Sequence, residues 1–219
     1  MKPNQSMIDM WTRAADAYHE AMPGSPAEEY LRKRGLSEGI QQFKLGYVDV
    51  VAPGHEDRFR GTLSIPYCTP SGVVAYKFRR LASDDLPKYD SPSGQRQHLF
   101  NVSALHQSVS WVLVVEGELD AVAATVAGFP AVASPGVNGW KPHFTRCFDG
   151  FSKVVVVTDN DQKEGNDRNP GDEFGKFLAE TIPNAIRVSL PAGQDVNSTI
   201  QTYGSEHFSD LIGQQLEDS

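Results

Sequence analysis

A chain of 219 residues with 39% hydrophobic content can bury one sizeable core or two modest ones, and its composition is that of a globular protein. No run approaches the roughly 20 apolar residues of a membrane helix, and the start Met1-Lys2-Pro3-Asn4 has no signal-peptide core, so the expectation is a cytoplasmic protein with no membrane partner. The net charge of −8 is uneven: residues 1–110 carry 13 Lys/Arg against 12 Asp/Glu, and residues 111–219 carry 7 against 16, so any polynucleotide contact needs a local basic patch, a bridging metal or a partner.

In chain order, Met7 to Glu20 and Pro26 to Arg34 have helical spacing, with Ser25 as N-cap and Pro26 at the first helical position. Leu63 to Tyr67 and Val73 to Phe78 are β-rich, and Thr69-Pro70-Ser71-Gly72 between them has hairpin chemistry. Cys68 and Cys147 have no second ligand at metal spacing and read as buried free thiols, and the six histidines show no catalytic or metal spacing. Near residue 108 the rhythm changes. Trp111–Val115, Ala131–Ala133, Val154–Thr158 and Ile186–Leu190 are short apolar runs, with Asp120–Ala127 and Asp172–Glu180 as intervening helices. Apolar strands alternating with helices predict an α/β fold with a parallel sheet covered on both faces. The expected division is therefore 1–108, a smaller mixed α+β lobe, and 109–219, the parallel-sheet domain.

Two acidic clusters follow two of the predicted strands: Glu116-Gly117-Glu118-Leu119-Asp120 and Asp159-Asn160-Asp161. Carboxylates at the carboxyl edge of a parallel sheet suit a hard divalent cation, which takes oxygen ligands and shares itself with substrate phosphates. Taken singly, each cluster is also explained by first-turn acids and turn caps. The ordered set changes the balance, with Ala133-Ser134-Pro135-Gly136-Val137 between the clusters and Pro191-Ala192-Gly193-Gln194-Asp195 beyond. In the first half, Lys77, Arg79, Arg80 and Lys88 lie on or beside the second strand of the hairpin, where they form either a solvated face diluted by Asp84, Asp85 and Asp90 or a phosphate-binding group. Trp140 and Phe144 read as packing residues.

The order Glu-Gly-x-x-Asp, a small Ser/Gly turn, Asp-x-Asp and a late Gly-x-Asp resembles the Toprim domain over roughly residues 109–205. Tyr30 to Leu36, Phe43 to Tyr47, Ile65-Pro66, Gly72 to Arg79, Pro87-Lys88-Tyr89 with Ser91-Pro92, and Leu99-Phe100-Asn101 resemble the amino-terminal lobe of the bacterial-type primase catalytic core. The resemblance implies a Toprim-type parallel-sheet domain and nucleotidyl transfer from ribonucleoside triphosphates on single-stranded DNA. It also implies Glu116, Asp159 and Asp161 as catalytic residues. Glu116, as ligand or base, Asp120, Asp159, Asp161 and Asp195 would serve one or two Mg²⁺ or Mn²⁺ ions, and Lys77, Arg79, Arg80 and Lys88 would serve DNA or nucleotide. A Toprim nuclease and a non-catalytic DNA-binding or recombination-mediator subunit are the alternatives.

The chain departs from the family pattern in three ways. Gln162 to Asn169 lengthen the loop after Asp-x-Asp, Asn197 stands where a second late carboxylate is often found, and no zinc module or helicase-binding tail is evident. The expectation is a phage-type or split primase that works with a replicative helicase, a separate zinc-binding subunit, or both.

Overall fold

A computed structural model describes residues 3–82, 86–136, 138–160 and 170–217. Two compact units divide between His98 and Leu99, ten residues earlier than the division near 108 expected from the change in rhythm. The reason lies in the segment after Leu99. Phe100 exchanges backbone hydrogen bonds with Ala133 (3.0 and 3.2 Å), and Asn101 Nδ2 donates to Ala131 O at 2.8 Å, so this stretch is hydrogen-bonded into the second unit.

In the first unit, α1 (Gln5–Glu20) begins where the Asn4 side chain accepts the Met7 N–H at 3.0 Å. Trp11, Ala14, Ala15 and Tyr18 recur at helical spacing and form its buried stripe. Next comes α2 (Pro26–Lys33), capped by Ser25 with Pro26 in the first turn as expected, and then α3 (Ser37–Gln42). Strands β1 (Gly46–Tyr47), β2 (Leu63–Thr69), β3 (Gly72–Arg79) and β4 (Tyr89–Asp90) form an antiparallel sheet in chain order. The β2–β3 turn is held by Thr69, whose Oγ1 accepts the Ser71 N–H and donates to Gly72 O. Alternation along β3 sends Tyr76 and Phe78 into a core with Trp11, Tyr18 and Phe59 and leaves Lys77 and Arg79 half-buried on the other face, while a register shift that skips Val74 brings Val73 into the same core.

The second unit is the expected α/β layer. Its parallel sheet has the order β6-β5-β7-β8, built from β5 (Trp111–Val115), β6 (Ala131–Ala133), β7 (Lys153–Thr158) and β8 (Ala185–Ser189). The intervening helices are α4 (Glu118–Val126), α5 (Pro142–Thr145) and α6 (Pro170–Thr181), and α7 (Val196–Glu217) closes the unit with a non-helical break at Gly204. Val112, Val114, Val154 and Val156 pack with Trp140, Phe144, Phe148, Phe174 and Leu178, so Trp140 and Phe144 are core residues as expected. Both thiols, expected to be buried, are exposed: Cys68 follows the point where the β2–β3 register shifts past Val74, and Cys147 sits on a short 3-10 turn.

Candidate active site

In this strand order β5 and β7 are neighbours, but the chain leaves β5 for β6 on one side before returning to β7 on the other. That reversal is the topological switch point of an open α/β sheet, where a crevice opens beyond the carboxyl ends of the strands. Val115 pairs with Val157, which sets Glu116 opposite Thr158 and one residue short of Asp159. Glu116 and Asp159 are both half-buried. Asp161 and residues 162–169 lie outside the described residues, as do Asp84 and Asp85.

Gly117 leaves room for a close approach. A Cβ there would lie 2.6 Å from Asp120 Oδ2, so the Asp120 carboxylate turns back over the residue that follows Glu116. The other oxygen, Oδ1, accepts the backbone N–H of Asn197 at 3.0 Å, and both residues are buried. Asp195 takes a neighbouring place. Its Oδ1 accepts the Ser198 N–H at 2.5 Å while its own N–H donates to Ser198 Oγ at 2.9 Å, a reciprocal cap on the first turn of α7. Glu118, in the first turn of α4, is fully buried, a carboxylate that the sequence reading mentioned only as a helix-terminal acid.

The backbone around Asp159 is fastened to the turn after β8. Asn160 N–H donates to Gln194 O at 3.1 Å, Gly193 N–H donates to Asn160 O at 2.7 Å, and Asn160 Nδ2 reaches Leu190 O at 2.8 Å. The start of α6 closes on the same point: a Cβ on Gly171 would stand 2.1 Å from Asp159 O. Beside it, a polar cleft of about 320 Å³ is lined by Thr158, Asp159, Asn160, Asp172, Lys176 and Arg187. Hydrogen bonds from Lys176 and then Arg187 hold the Asp172 carboxyl below its ordinary pKa.

Among the described residues no group of three or more His, Cys, Asp or Glu is gathered for metal binding. The donors present nevertheless fit a hard divalent ion. Mg²⁺ needs only one or two protein carboxylates beside water and phosphate oxygens, and Glu116 and Asp159 supply two at the switch point.

The basic residues of the first unit form a ladder with two tyrosines. The Arg79 guanidinium lies 4.9 Å from the ring centres of both Tyr30 and Tyr89 and donates to the Tyr89 hydroxyl at 2.6 Å. Lys77 Nζ stands 5.0 Å from the Tyr89 ring, and Arg34 lies 5.8 Å from Tyr30 while donating to its hydroxyl. Arg80 N–H donates to Lys88 O at 2.9 Å, extending the β3–β4 pairing, and Lys88 is exposed. Tyr30 and Tyr89 went unread as site residues. The alternation of β3 and the Lys88-Tyr89 pair were the signals available.

No family model matches the chain. It is 39% identical to the Gene 57 protein of Mycobacterium phage D29 over 159 residues, covering 70% of this chain and 99% of that one. It is 27% identical to the DNA primase of Listeria monocytogenes over 95% of this chain and 40% of that one. Over nearly its whole length the chain is similar to bacterial DNA primases. The chain spans about two fifths of the length of that curated primase. Its fold is that of primase catalytic cores. The zinc-binding and RNA polymerase domains of the Aquifex aeolicus primase superpose with a TM-score of 0.78 at 22% identity, over 97% of this chain and 62% of that one. A DnaG primase catalytic domain bound to ssDNA gives 0.74 at 24% identity, over 96% and 81%.

Proposed function

We propose that this chain is a metal-dependent primase core that joins ribonucleotides on a single-stranded DNA template in the cytoplasm of a bacterium or phage-infected host. The observation that carries the reading is the placement of Glu116 and Asp159 at the ends of adjacent strands at the switch point, in a chain related to primases. In the reaction, a 3′-hydroxyl oxygen forms a bond to the α-phosphorus of a ribonucleoside triphosphate, the bond to the β-phosphate breaks, and pyrophosphate leaves. Glu116 and Asp159 would hold one or two Mg²⁺ or Mn²⁺ ions, whose charge would favour the displacement and ease hydroxyl deprotonation.

The residues divide the work by position. Asp159, at the end of β7, and Asp161, two positions on in the sequence, would hold the cation. Glu116 either ligates the cation or takes the hydroxyl proton. The half-buried crevice raises the value of each charge placed there relative to open water. Lys77, Arg79, Arg80 and Lys88 serve template or triphosphate phosphates, Lys88 as an exposed point charge and Arg79 in an orientation set by two tyrosines. The acidic second half makes a replicative helicase, a separate zinc-bearing subunit, or both, useful partners for holding the template.

The test is purified protein with a single-stranded template, labelled ribonucleotides and Mg²⁺ or Mn²⁺. Growth of template-complementary RNA supports the proposal. Metal-dependent shortening of the template without growth selects the nuclease reading, and binding with neither selects the mediator reading.

A further inference from the structure

We infer that Asp120 is a positioning residue and not a metal ligand: it grips the first turn of α7 and thereby sets Glu116 and Asp159 in one frame. The inference rests on the metal-site reading above and assigns a role inside it. Asp120 and Asn197 are 77 residues apart, yet the carboxylate accepts the Asn197 N–H where each residue is less than a tenth exposed. The first N–H groups of a helix have no partner within the helix, and a carboxylate satisfies them in both hydrogen bonding and dipole. Asp195 does this for Ser198 from the chain just before α7, and Asp120 does it for Asn197 from α4. Asp120 Oδ2, meanwhile, is turned over Gly117.

The same segment holds the other strand end. Gln194, next to Asp195, accepts from Asn160, and Gly193 donates to it. A continuous path therefore runs from Glu116 through Gly117 and Asp120 to Asn197, back along Asp195 and Gln194, and through Asn160 to Asp159. Were Asp120 to turn its Oδ1 to a cation, the Asn197 N–H would be left without that acceptor in a buried place, an unfavourable exchange.

Asparagine separates the two roles, because its amide oxygen caps a helix about as well as a carboxylate does but carries no charge for a cation. Binding of Mn²⁺ alone to the full chain, titrated by electron paramagnetic resonance, reads the site without requiring synthesis, so a failed synthesis assay leaves this measurement intact. Asp120→Asn is expected to stay within about threefold of the parent affinity, whereas Asp120→Ala weakens it about 10- to 100-fold, the scale on which residues that orient metal ligands act. Asn197→Pro removes the N–H while keeping every carboxylate, and it is expected to weaken Mn²⁺ binding as Asp120→Ala does; thermal unfolding confirms that each variant is folded. Mn²⁺ binding by Asp120→Asn as poor as that of Asp159→Asn overturns the inference. So does undiminished Mn²⁺ binding by folded Asn197→Pro.

Discussion

Replacing Asp159 by Asn keeps the shape of the side chain and removes its charge. Ribonucleotide incorporation by that variant is expected to fall by about a hundredfold or more, the scale of a lost electrostatic stabiliser, with an unchanged circular dichroism spectrum. Parent-like, metal-independent synthesis would remove the crevice from consideration as the active site. A second residue-scale prediction concerns His55. Its ring sits among Trp11, Tyr18, Phe59, Tyr76 and Phe78, its Nδ1 is 2.8 Å from the Tyr18 hydroxyl, and that hydroxyl accepts the Ala52 N–H. Burial, only partly offset by the Glu56 carboxylate, lowers the His55 pKa from 6.5 to about 4. The unfolded chain then binds a proton that the folded chain refuses, so His55 is without penalty above pH 6.5 and costs stability as pH falls from 6.5 towards 4. The expected slope from this residue is about 1.4 kcal/mol per pH unit in that window. Urea unfolding of the parent and His55→Phe at pH 7.5 and 5.0 checks it, with a shallower pH dependence expected in the variant.

At the scale of elements, two close contacts make predictions of their own. Gly171→Ala puts a methyl group onto the Asp159 carbonyl, so α6 must retreat from the end of β7. The expected cost is about 1–3 kcal/mol of overpacking strain together with weakened Mn²⁺ binding, read by unfolding and by titration. On β3 and β4, charge reversal at Lys77, Arg79 and Lys88 together should flatten the dependence of log affinity for single-stranded DNA on log salt by about 2, at roughly 0.7 per phosphate contact. An unchanged slope would make this only a solvated strand face. Elements with local signals were legible in the sequence: α2 through Ser25 and Pro26, and β5 and β7 through short uninterrupted apolar runs buried on both faces of the sheet. Two-residue strands such as β1 and β4 carry too little pattern, and α7 begins with polar, β-branched and Asn residues and breaks at Gly204, which hid its periodicity. In the candidate site, the strand ends that precede Glu116 and Asp159 were legible. What Asp120 does was not, because its partner is distant in the chain and is a backbone amide that no side-chain pattern reports.

For the whole molecule, the opposed charges of the two halves shape how it works on a polyanion. With 16 acidic against 7 basic residues in 111–219, the template affinity that the proposed reaction needs has to come from the basic residues of the first lobe, a bridging metal or a partner. Extension of a supplied primer is therefore expected to exceed de novo initiation, which must align two nucleotides at once, and a zinc-bearing primase subunit or helicase from the same source should raise initiation through effective concentration. Counting primers started and primers extended, with and without those proteins, checks this; efficient initiation unaltered by either protein would count against the need for a partner. The grip of Asp120 on Asn197 also has a kinetic signature. Amides in the first turn of a helix ordinarily trade hydrogen for deuterium quickly, since a frayed end exposes them to solvent. The Asn197 amide instead answers to a carboxylate 77 residues earlier, so its deuterium uptake is tied to separation of α4 from α7. Slow labelling at this one amide, beside fast labelling at other helix starts, would time the coming apart of the second unit.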